Sequence, residues 1–237
     1  GPLFFAFENP MSENSAEEGR LICAMRRGDV LKAGKAVTAS CVLGITPPDQ
    51  RRRGFLYYVE RERAHPYRPF LHYNSWYDIS WADRKFNEAQ ALEAIRIFGE
   101  ELTAKRGVVL QSFVFDDGWD DNRTLWQFHG GFPNGFLPLR EEAARYGAAI
   151  GAWFSPFGGY GPAREQRLAY GRDQGFEIND SGFSLAGPRY YARYKAICEE
   201  MINKHGVNFF KFDGMGAGLG AGVQGEQKYL ADIEALM

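Results

Sequence analysis

The stretch Val207-Asn208-Phe209-Phe210-Lys211-Phe212-Asp213-Gly214 is a run of apolar and aromatic residues that ends in charged groups and a glycine. This pattern predicts a buried strand that delivers a carboxylate to the end of a sheet. Since side chains two residues apart on a strand share a face, we expect Lys211 and Asp213 to point the same way. An ammonium beside the acid favours the ionised carboxylate that a nucleophile requires. The same pattern is also typical of an ion pair that only stabilises packing, so the rest of the chain must decide.

Apolar runs alternate with helical patterns in most of the chain. Strands are predicted at residues 70–76, 108–115, 148–154 and 207–213, and helices at residues 86–106, 136–146, 188–205 and 226–237. This succession of four βα units predicts an α/β fold with a parallel sheet, either doubly wound or closed into a barrel.

The ends of the predicted strands favour the barrel. In a (β/α)8 barrel every strand opens at its carboxyl end on one mouth, whereas in an open sheet only the ends at a switch point meet. Each strand here ends in polar or aromatic residues, namely Asn74 and Trp76, Asp116 and Asp117, Trp153 and Ser155, and Lys211 and Asp213. We therefore predict that residues 70–237 form the first four βα units of a (β/α)8 TIM barrel.

The region before the barrel has a different pattern. Residues 1–62 contain short β-like runs at 3–7, 21–26, 36–43 and 55–59, separated by turn residues. Four strands are too few for a complete sandwich, so this region is predicted to be the end of an N-terminal β-sandwich. A proline-containing linker is predicted at residues 63–69. The basic run Arg51-Arg52-Arg53 has acidic neighbours, which favours a solvated interdomain face over a phosphate site.

Composition excludes several classes of protein. Of 237 residues, 28 are Lys or Arg and 30 are Asp or Glu, so the strongly basic balance of a nucleic-acid-binding protein is absent. No apolar run approaches the ~20 residues of a membrane-spanning helix, so no membrane partner is expected. The start of the chain does not resemble a signal peptide, and the compartment stays open, with periplasmic or secreted locations allowed for the full-length protein. Three widely spaced cysteines predict neither a disulfide framework nor a metal cluster.

The turn Asp116-Asp117-Gly118-Trp119 places two carboxylates and an indole at a strand end. Carboxylates accept hydrogen bonds from sugar hydroxyl groups while an aromatic ring stacks on the sugar. A calcium loop instead spaces its ligands at alternate positions, whereas these carboxylates are adjacent. We therefore predict a carbohydrate partner, without a metal or other cofactor.

Residues 214–225 contain a formal G-x-G-x-x-G pattern at Gly220, Gly222 and Gly225. A dinucleotide fingerprint requires its glycines at the end of the strand, where the helix N-terminus meets the pyrophosphate. Here the carboxylate of Asp213 intervenes and would repel a phosphate group. The segment is predicted to be a mobile loop over the site.

The order of these motifs resembles the α-galactosidases of glycoside hydrolase family 36, the melibiases of clan D. The resemblance covers most of the chain from about Phe70 onward. It implies a β-sandwich before a catalytic (β/α)8 barrel, and hydrolysis of terminal α-galactosides with retention, through a covalent glycosyl-enzyme intermediate. It rests on Phe113-Val114-Phe115-Asp116-Asp117-Gly118-Trp119, Phe132-Pro133-Asn134-Gly135, Gly151-Ala152-Trp153-Phe154-Ser155-Pro156 and Phe210-Lys211-Phe212-Asp213.

The resemblance also implies roles for single residues. Asp213 would be the nucleophile, and Lys211 would hydrogen-bond the sugar beside it. The acid/base carboxylate of this family lies well after the nucleophile, and no counterpart precedes Met237. It is therefore expected outside this chain, which alone is expected to be a catalytically inactive fragment. The expected sugar contacts are Asp116 and Asp117 on the axial and primary hydroxyl groups, and Trp76, Trp119 and Trp153 along the subsite.

Two departures keep other functions open. Phe212 stands where the family usually has Trp, and Ser155 stands where an acidic residue is common, so α-N-acetylgalactosaminides or other α-linked sugars remain candidates.

A metal-dependent barrel lyase or isomerase would use Asp116, Asp117 and Asp213 as ligands and Lys211 as base. A sugar-binding relic without catalysis is the third alternative. The open edges of a half barrel would also allow a homo-oligomer.

Overall fold

The computed structural model describes residues 1–9, 11–28, 31–214 and 229–237. These residues form two compact units, one of residues 70–214 and the other of residues 1–69 with 229–237. No helix among the described residues is long and apolar enough to cross a membrane.

The unit of residues 70–214 is built on a four-stranded parallel sheet. The four strands of this sheet are neighbours in the order in which they follow one another along the chain. This confirms the predicted α/β fold with a parallel sheet. The strands are β5 (His72–Asn74), β6 (Ser112–Phe115), β7 (Ala149–Phe154) and β10 (Val207–Phe212).

Helices connect the strands of this sheet, and local signals set their ends. The first begins at a capping box in which the Asn87 side chain accepts from Gln90 N, and the Gln90 side chain accepts from Asn87 N. Proline occupies the first turn of the other three, where a missing N–H costs nothing. The helices are α2 (Glu88–Phe98), continued by a π-helical turn (Gly99–Ala104), α3 (Leu137–Ala144), α4 (Gly161–Asp173) and α5 (Pro188–Asn203).

Helix α4 and the short hairpin after it do not appear in the sequence-based prediction. The hairpin pairs β8 (Ile178–Asn179) with β9 (Gly182–Phe183). The signals for α4 are Pro162 in its first turn and Gly175 just after its end. The helix carries a buried arginine on its inner side, where an apolar residue would be expected, and this weakens its periodicity.

The core of this unit lies on both faces of the two central strands, β6 and β7, which is why these strands lack polar alternation. All four residues of β6 are buried, and so are the last five of β7. Aromatic rings fill the space between sheet and helices; the centroid of Phe136 lies 5.8 Å from that of Phe115 and 5.6 Å from that of Trp119. The edge strands are covered less: β5 is partly buried, and only Val207 of β10 is buried, so the expectation of a buried strand at residues 207–213 is corrected.

The other unit contains two antiparallel pairs, β1 (Leu3–Phe7) with β4 (Cys41–Ile45) and β2 (Ser12–Glu17) with β3 (Arg20–Met25). It also contains helices α1 (Arg51–Glu62) and α6 (Leu230–Leu236). The prediction of an all-β region is wrong at residues 55–59, which lie in α1. Phe55 and Tyr58 both contact Phe4, and residues three apart share a face in a helix but not in a strand.

Helix α6 also differs from the prediction, which assigned all of residues 70–237 to the barrel. The structure groups it with residues 1–69. Within that unit, Glu234 Oε1 accepts a hydrogen bond from Gly28 N across 3.3 Å.

Candidate active site

Polar side chains converge at the carboxyl ends of the four parallel strands, as expected where parallel strands end together. They surround a cavity of about 400 Å³. A cleft of about 480 Å³ beside α2 is lined mainly by aliphatic groups and brings no comparable set of charges together. The smaller cavity is therefore the candidate active site; its lining is Trp76, Arg84, Asp116, Asp117, Trp153, Tyr160, Lys211 and Asp213.

Asp213 follows β10 directly, and its carboxylate accepts three hydrogen bonds. Oδ1 accepts from Tyr160 OH at 2.9 Å and from Gly214 N at 2.7 Å, and Oδ2 accepts from Trp153 Nε1 at 3.0 Å. Partial burial opposes ionisation, but these donors and the charge of Lys211 outweigh it and lower the pKa of Asp213. The site therefore holds an ionised, oriented carboxylate.

Lys211 lies on β10, but its hydrogen-bond partner is not Asp213 as the strand pattern suggested. Its Nζ donates to Asp116 Oδ2 across 2.7 Å, from the end of one strand to the end of another. The Lys211 side chain is 34% exposed, whereas Asp116 is almost fully buried. The lysine acts on Asp213 only through its charge, and the sequence-based prediction of the pair is corrected in this respect.

Asp116 is held from the backbone as well as from Lys211. Its Oδ1 accepts from Asp117 N at 2.8 Å, and its own N–H donates to Ser75 Oγ at 2.8 Å. Ser75 in turn shares a 2.7 Å hydrogen bond with Ser80. Both oxygens of the Asp116 carboxylate are thereby fixed at the floor of the cavity.

Asp117 lies beside the buried guanidinium of Arg167. Arg167 Nη2 donates to Asp117 Oδ1 at 3.4 Å, and Arg167 makes a bidentate pair with Asp120 at 2.8 and 2.9 Å. Burial raises the pKa of Asp117, although the charges of Arg167 and, at 3.8 Å, Arg84 oppose the shift. The two acids Asp117 and Asp213 are thus shifted in opposite directions within one cavity.

The three predicted tryptophans take different positions. Trp76 lines the cavity, with the guanidinium of Arg84 5.1 Å and Lys211 Nζ 5.8 Å from its ring centroid. Trp153 turns its indole nitrogen to Asp213. Trp119 does not line the cavity: it is fully buried below it, and its Nε1 donates to the carbonyl oxygen of Trp153 at 3.1 Å. The expectation that Trp119 lines a sugar subsite does not agree with this position, since the ring packs against Phe154 instead.

Three residues of the site were not found from the sequence. Arg84 and Tyr160 line the cavity, and Arg167 supports it from below. Tyr160 and Arg167 belong to the α4 segment, whose Pro162 and Gly175 were the available signals. Nothing local marks Arg84, which reaches the cavity from the loop that precedes α2.

The glycine pattern at Gly220, Gly222 and Gly225 lies outside the described residues, so the predicted loop over the site has no structural account. Within the described part of the chain, no group of three or more His, Cys, Asp or Glu side chains is arranged to hold a metal ion. Two of the three acids proposed as metal ligands are instead paired with cations, Asp116 with Lys211 and Asp117 with Arg167.

No protein-family model matches the sequence, and no curated protein matches it. Solved structures do match. TtGalA, an α-galactosidase from Thermus thermophilus in complex with p-nitrophenyl α-D-galactopyranoside, has a TM-score of 0.60 at 20% identity and covers 99% of this chain and 47% of its own. The family 36 α-galactosidase AgaA from Geobacillus stearothermophilus has a TM-score of 0.60 at 15% identity, and the match covers 99% of this chain and 37% of AgaA. An α-galactosidase from Lactobacillus brevis has a TM-score of 0.51 at 18% identity, and the match covers 73% of this chain and 24% of that enzyme.

This chain therefore spans less than half the length of each of these structures. At such identities the comparison concerns the fold. The chain is similar in fold to the α-galactosidases of glycoside hydrolase family 36.

Proposed function

We propose that this chain is part of a retaining glycoside hydrolase that cleaves terminal α-galactosides, with Asp213 as its nucleophile. The observation that carries the proposal is the Asp213 carboxylate, which three donors orient and keep ionised at the mouth of a cavity. A retaining glycosidase requires such a carboxylate to attack the anomeric carbon. The fold of family 36 α-galactosidases supports the same reaction class, by analogy only.

In this proposal the four-stranded sheet is the first half of a (β/α)8 barrel. The sequential strand order supports it, because barrel strands follow one another around the wall. The antiparallel pairs of residues 1–69 are taken as the end of a β-sandwich.

The reaction proceeds in two displacements. Asp213 first forms a bond to the anomeric carbon as the aglycone departs, and water then releases the sugar with the original configuration. The leaving oxygen takes a proton from a second carboxylate about 5 to 5.5 Å from the nucleophile. We propose that this acid/base group lies outside the described residues, because Asp116 and Asp117 are already held by Lys211 and Arg167.

Asp116 and Asp117 are proposed to accept hydrogen bonds from the hydroxyl groups that distinguish galactose. Lys211 and Arg84 would donate to ring substituents, since each has an exposed fraction and faces the cavity. Trp76 offers an aromatic face for the sugar, and Trp153 holds the nucleophile. Trp119 is proposed to position Trp153 through its carbonyl group, not to contact the sugar.

A metal-dependent lyase or isomerase fits this site less well. A divalent cation would have to displace Lys211 from Asp116, and it would be placed next to the guanidinium of Arg167. The positive charges of Lys211 and Arg167 beside these carboxylates would repel a divalent cation.

The test is hydrolysis by the full-length protein of p-nitrophenyl α-galactoside, with the β-galactoside and the α-N-acetylgalactosaminide in parallel. We expect turnover of the α-galactoside, release of α-galactose as the first product, and no effect of a chelator. Preference for the N-acetylated substrate would change the sugar but keep the mechanism. Loss of activity with the chelator would support the metal-dependent alternative, and galactose binding without any turnover would support a non-catalytic relic.

A further inference from the structure

The loop between β7 and α4 brings a phenol onto the proposed nucleophile. Three glycines near Tyr160 have φ angles in the left-handed region, Gly158 at 106°, Gly159 at 89° and Gly161 at 54°. Other residues adopt such angles only with strain. This backbone turns the chain back after the strand, and the Tyr160 hydroxyl reaches Asp213 Oδ1 at 2.9 Å.

Buried contacts hold this loop in place. Gly159 N donates to Ser155 Oγ at 2.7 Å, and Arg167 Nη1 donates to the Gly158 carbonyl oxygen at 3.1 Å. A Cβ atom at Gly159 would lie 2.6 Å from Arg167 Nη1, so any other residue there would have to displace the buried arginine. These contacts fix the backbone at Tyr160, and its 48% exposed side chain is held over the cavity by the 2.9 Å hydrogen bond to Asp213.

The two oxygens of Asp213 are not equivalent. Each carboxylate oxygen has two acceptor positions. Among the residues that the structure describes, Tyr160 OH and Gly214 N use both positions on Oδ1, whereas Oδ2 accepts from Trp153 Nε1 alone. Of the two oxygens, Oδ2 is therefore the one that keeps a lone pair without a donor in this described part of the chain.

We propose that Tyr160 is a positioning residue of this site: its hydroxyl group occupies Asp213 Oδ1 and assigns the attack on the anomeric carbon to Oδ2. The inference rests on the proposed function and extends it. Tyr160 remains protonated throughout, because burial and the hydrogen bond to Asp213 raise its pKa. It acts as a hydrogen-bond donor and transfers no proton.

The charge on Asp213 decides which step Tyr160 assists. In the first step, Oδ2 bonds to the anomeric carbon, and the aglycone oxygen leaves with the bonding electron pair and the proton of the acid/base group. In the second step, a water oxygen bonds to that carbon and gives its proton to the acid/base group, while the bond to Oδ2 breaks and its electron pair returns to Asp213. A hydrogen bond to Oδ1 is stronger when Asp213 is a charged carboxylate than when it is the ester of the intermediate. Because Asp213 regains its charge in the second step, the Tyr160 hydroxyl group stabilises the transition state of that step.

The experiment compares the full-length wild-type protein with Tyr160→Phe on p-nitrophenyl α-galactoside. We expect kcat to fall by about tenfold or more and KM to fall with it, because the covalent intermediate accumulates. A burst of nitrophenol should appear, and acid-quenched protein should carry the mass of one galactosyl group. The acidic limb of kcat/KM should move to higher pH, since one donor that lowers the pKa of Asp213 is gone.

The matched control is Tyr191→Phe, which removes the hydroxyl of an exposed tyrosine on α5 and should leave all of these values unchanged. Wild-type kcat and KM without a burst in Tyr160→Phe would overturn the inference and leave the proposed function intact. An equal fall of kcat and kcat/KM without a covalent adduct would also overturn it, since that pattern indicates a structural role. Neither KM nor the burst pattern depends on the folded fraction. Absence of activity in the wild-type protein would instead reject the proposed function, and this inference with it.

Discussion

Lys211 Nζ lies 2.7 Å from Asp116 Oδ2, and this ion pair joins the ends of β10 and β6 across the intervening strand β7. The Asp116 side chain is 1% exposed, and Lys211 is the cation that lies against it. Removing one member of such a pair leaves a buried charge uncompensated. The pair therefore fixes the floor of the cavity, while Asp213 at its mouth depends on other donors.

Replacement of the proposed nucleophile should separate chemistry from folding. We expect Asp213→Ala in the full-length protein to lose hydrolysis of aryl α-galactosides and to keep its far-UV circular dichroism spectrum. Azide should restore part of the turnover and yield β-galactosyl azide, because the small anion fills the space of the carboxylate and attacks from the same face. Near-normal activity in Asp213→Ala without azide would reject the assignment.

Asp116 and Asp117 should contribute to sugar binding. Asp116→Asn and Asp117→Asn each replace an acceptor for a sugar hydroxyl group, and an unpaired buried polar group costs ~1–3 kcal/mol. Calorimetric titration with galactose should therefore show weaker binding by about 5- to 150-fold for each variant. The control is Asp173→Asn at the exposed end of α4, which should bind galactose as the wild type does. Unchanged affinity in both cavity variants would contradict the role.

The opposite pKa shifts of Asp117 and Asp213 predict opposite effects on stability. Burial raises the pKa of Asp117, so the unfolded chain loses this proton at lower pH than the folded one. Ionisation of Asp117 therefore lowers the free energy of unfolding as pH rises from the ordinary carboxyl pKa to the raised one. Asp117→Asn removes this loss, and we expect it to be more stable than the wild type at neutral pH.

Ionisation of Asp213 has the opposite effect on the free energy of unfolding. Its folded pKa lies below the unfolded value, so its stabilisation is present above the unfolded pKa and disappears as pH falls through the folded pKa. Asp213→Asn should be less stable than the wild type at neutral pH, and the difference should vanish in acid. Urea unfolding of both variants at several pH values measures these differences; shifts of the same sign would refute the prediction.

Arg167 should be a major contributor to stability. Arg167→Met leaves the buried carboxylate of Asp120 without its bidentate partner, and losing one side of a buried pair costs ~3–5 kcal/mol. Arg167→Lys should recover only part of the lost stability, because an ammonium group cannot form the planar bidentate pair that the guanidinium makes with Asp120. Arg172→Met, at an exposed position of the same helix, should change the unfolding free energy by no more than ~0.5 kcal/mol. Wild-type stability in Arg167→Met would show that the ion cluster contributes no net stability.

The sequence contains enough local information for the order of the four parallel strands and of helices α2, α3 and α5, whereas α4 and the hairpin after it were not predicted. Apolar runs marked all four parallel strands, and Asn87, Pro138 and Pro188 lie where the structure begins its helices. The same patterns placed Asp116 and Asp213 directly after strands, because a polar residue that follows an apolar run marks the point where the chain leaves the sheet. At residues 55–59 the β propensity of tyrosine and valine led to a wrong prediction. The segment is a helix, in which Phe55 and Tyr58 lie on one face and both contact Phe4.

Which groups meet was decided by the tertiary structure alone. The two-residue period of a strand predicts that Lys211 and Asp213 share a face. It does not predict that the hydrogen-bond partner of the Lys211 ammonium is Asp116, 95 positions earlier. Tyr160 reaches Asp213 across 53 positions, and Arg167 reaches Asp117 across 50. Each of these pairs exists because parallel strands bring distant segments to one edge of the sheet. The periodicity of the sequence thus determined which residues lie at that edge, and only packing decided their partners and the burial of Trp119 beneath them.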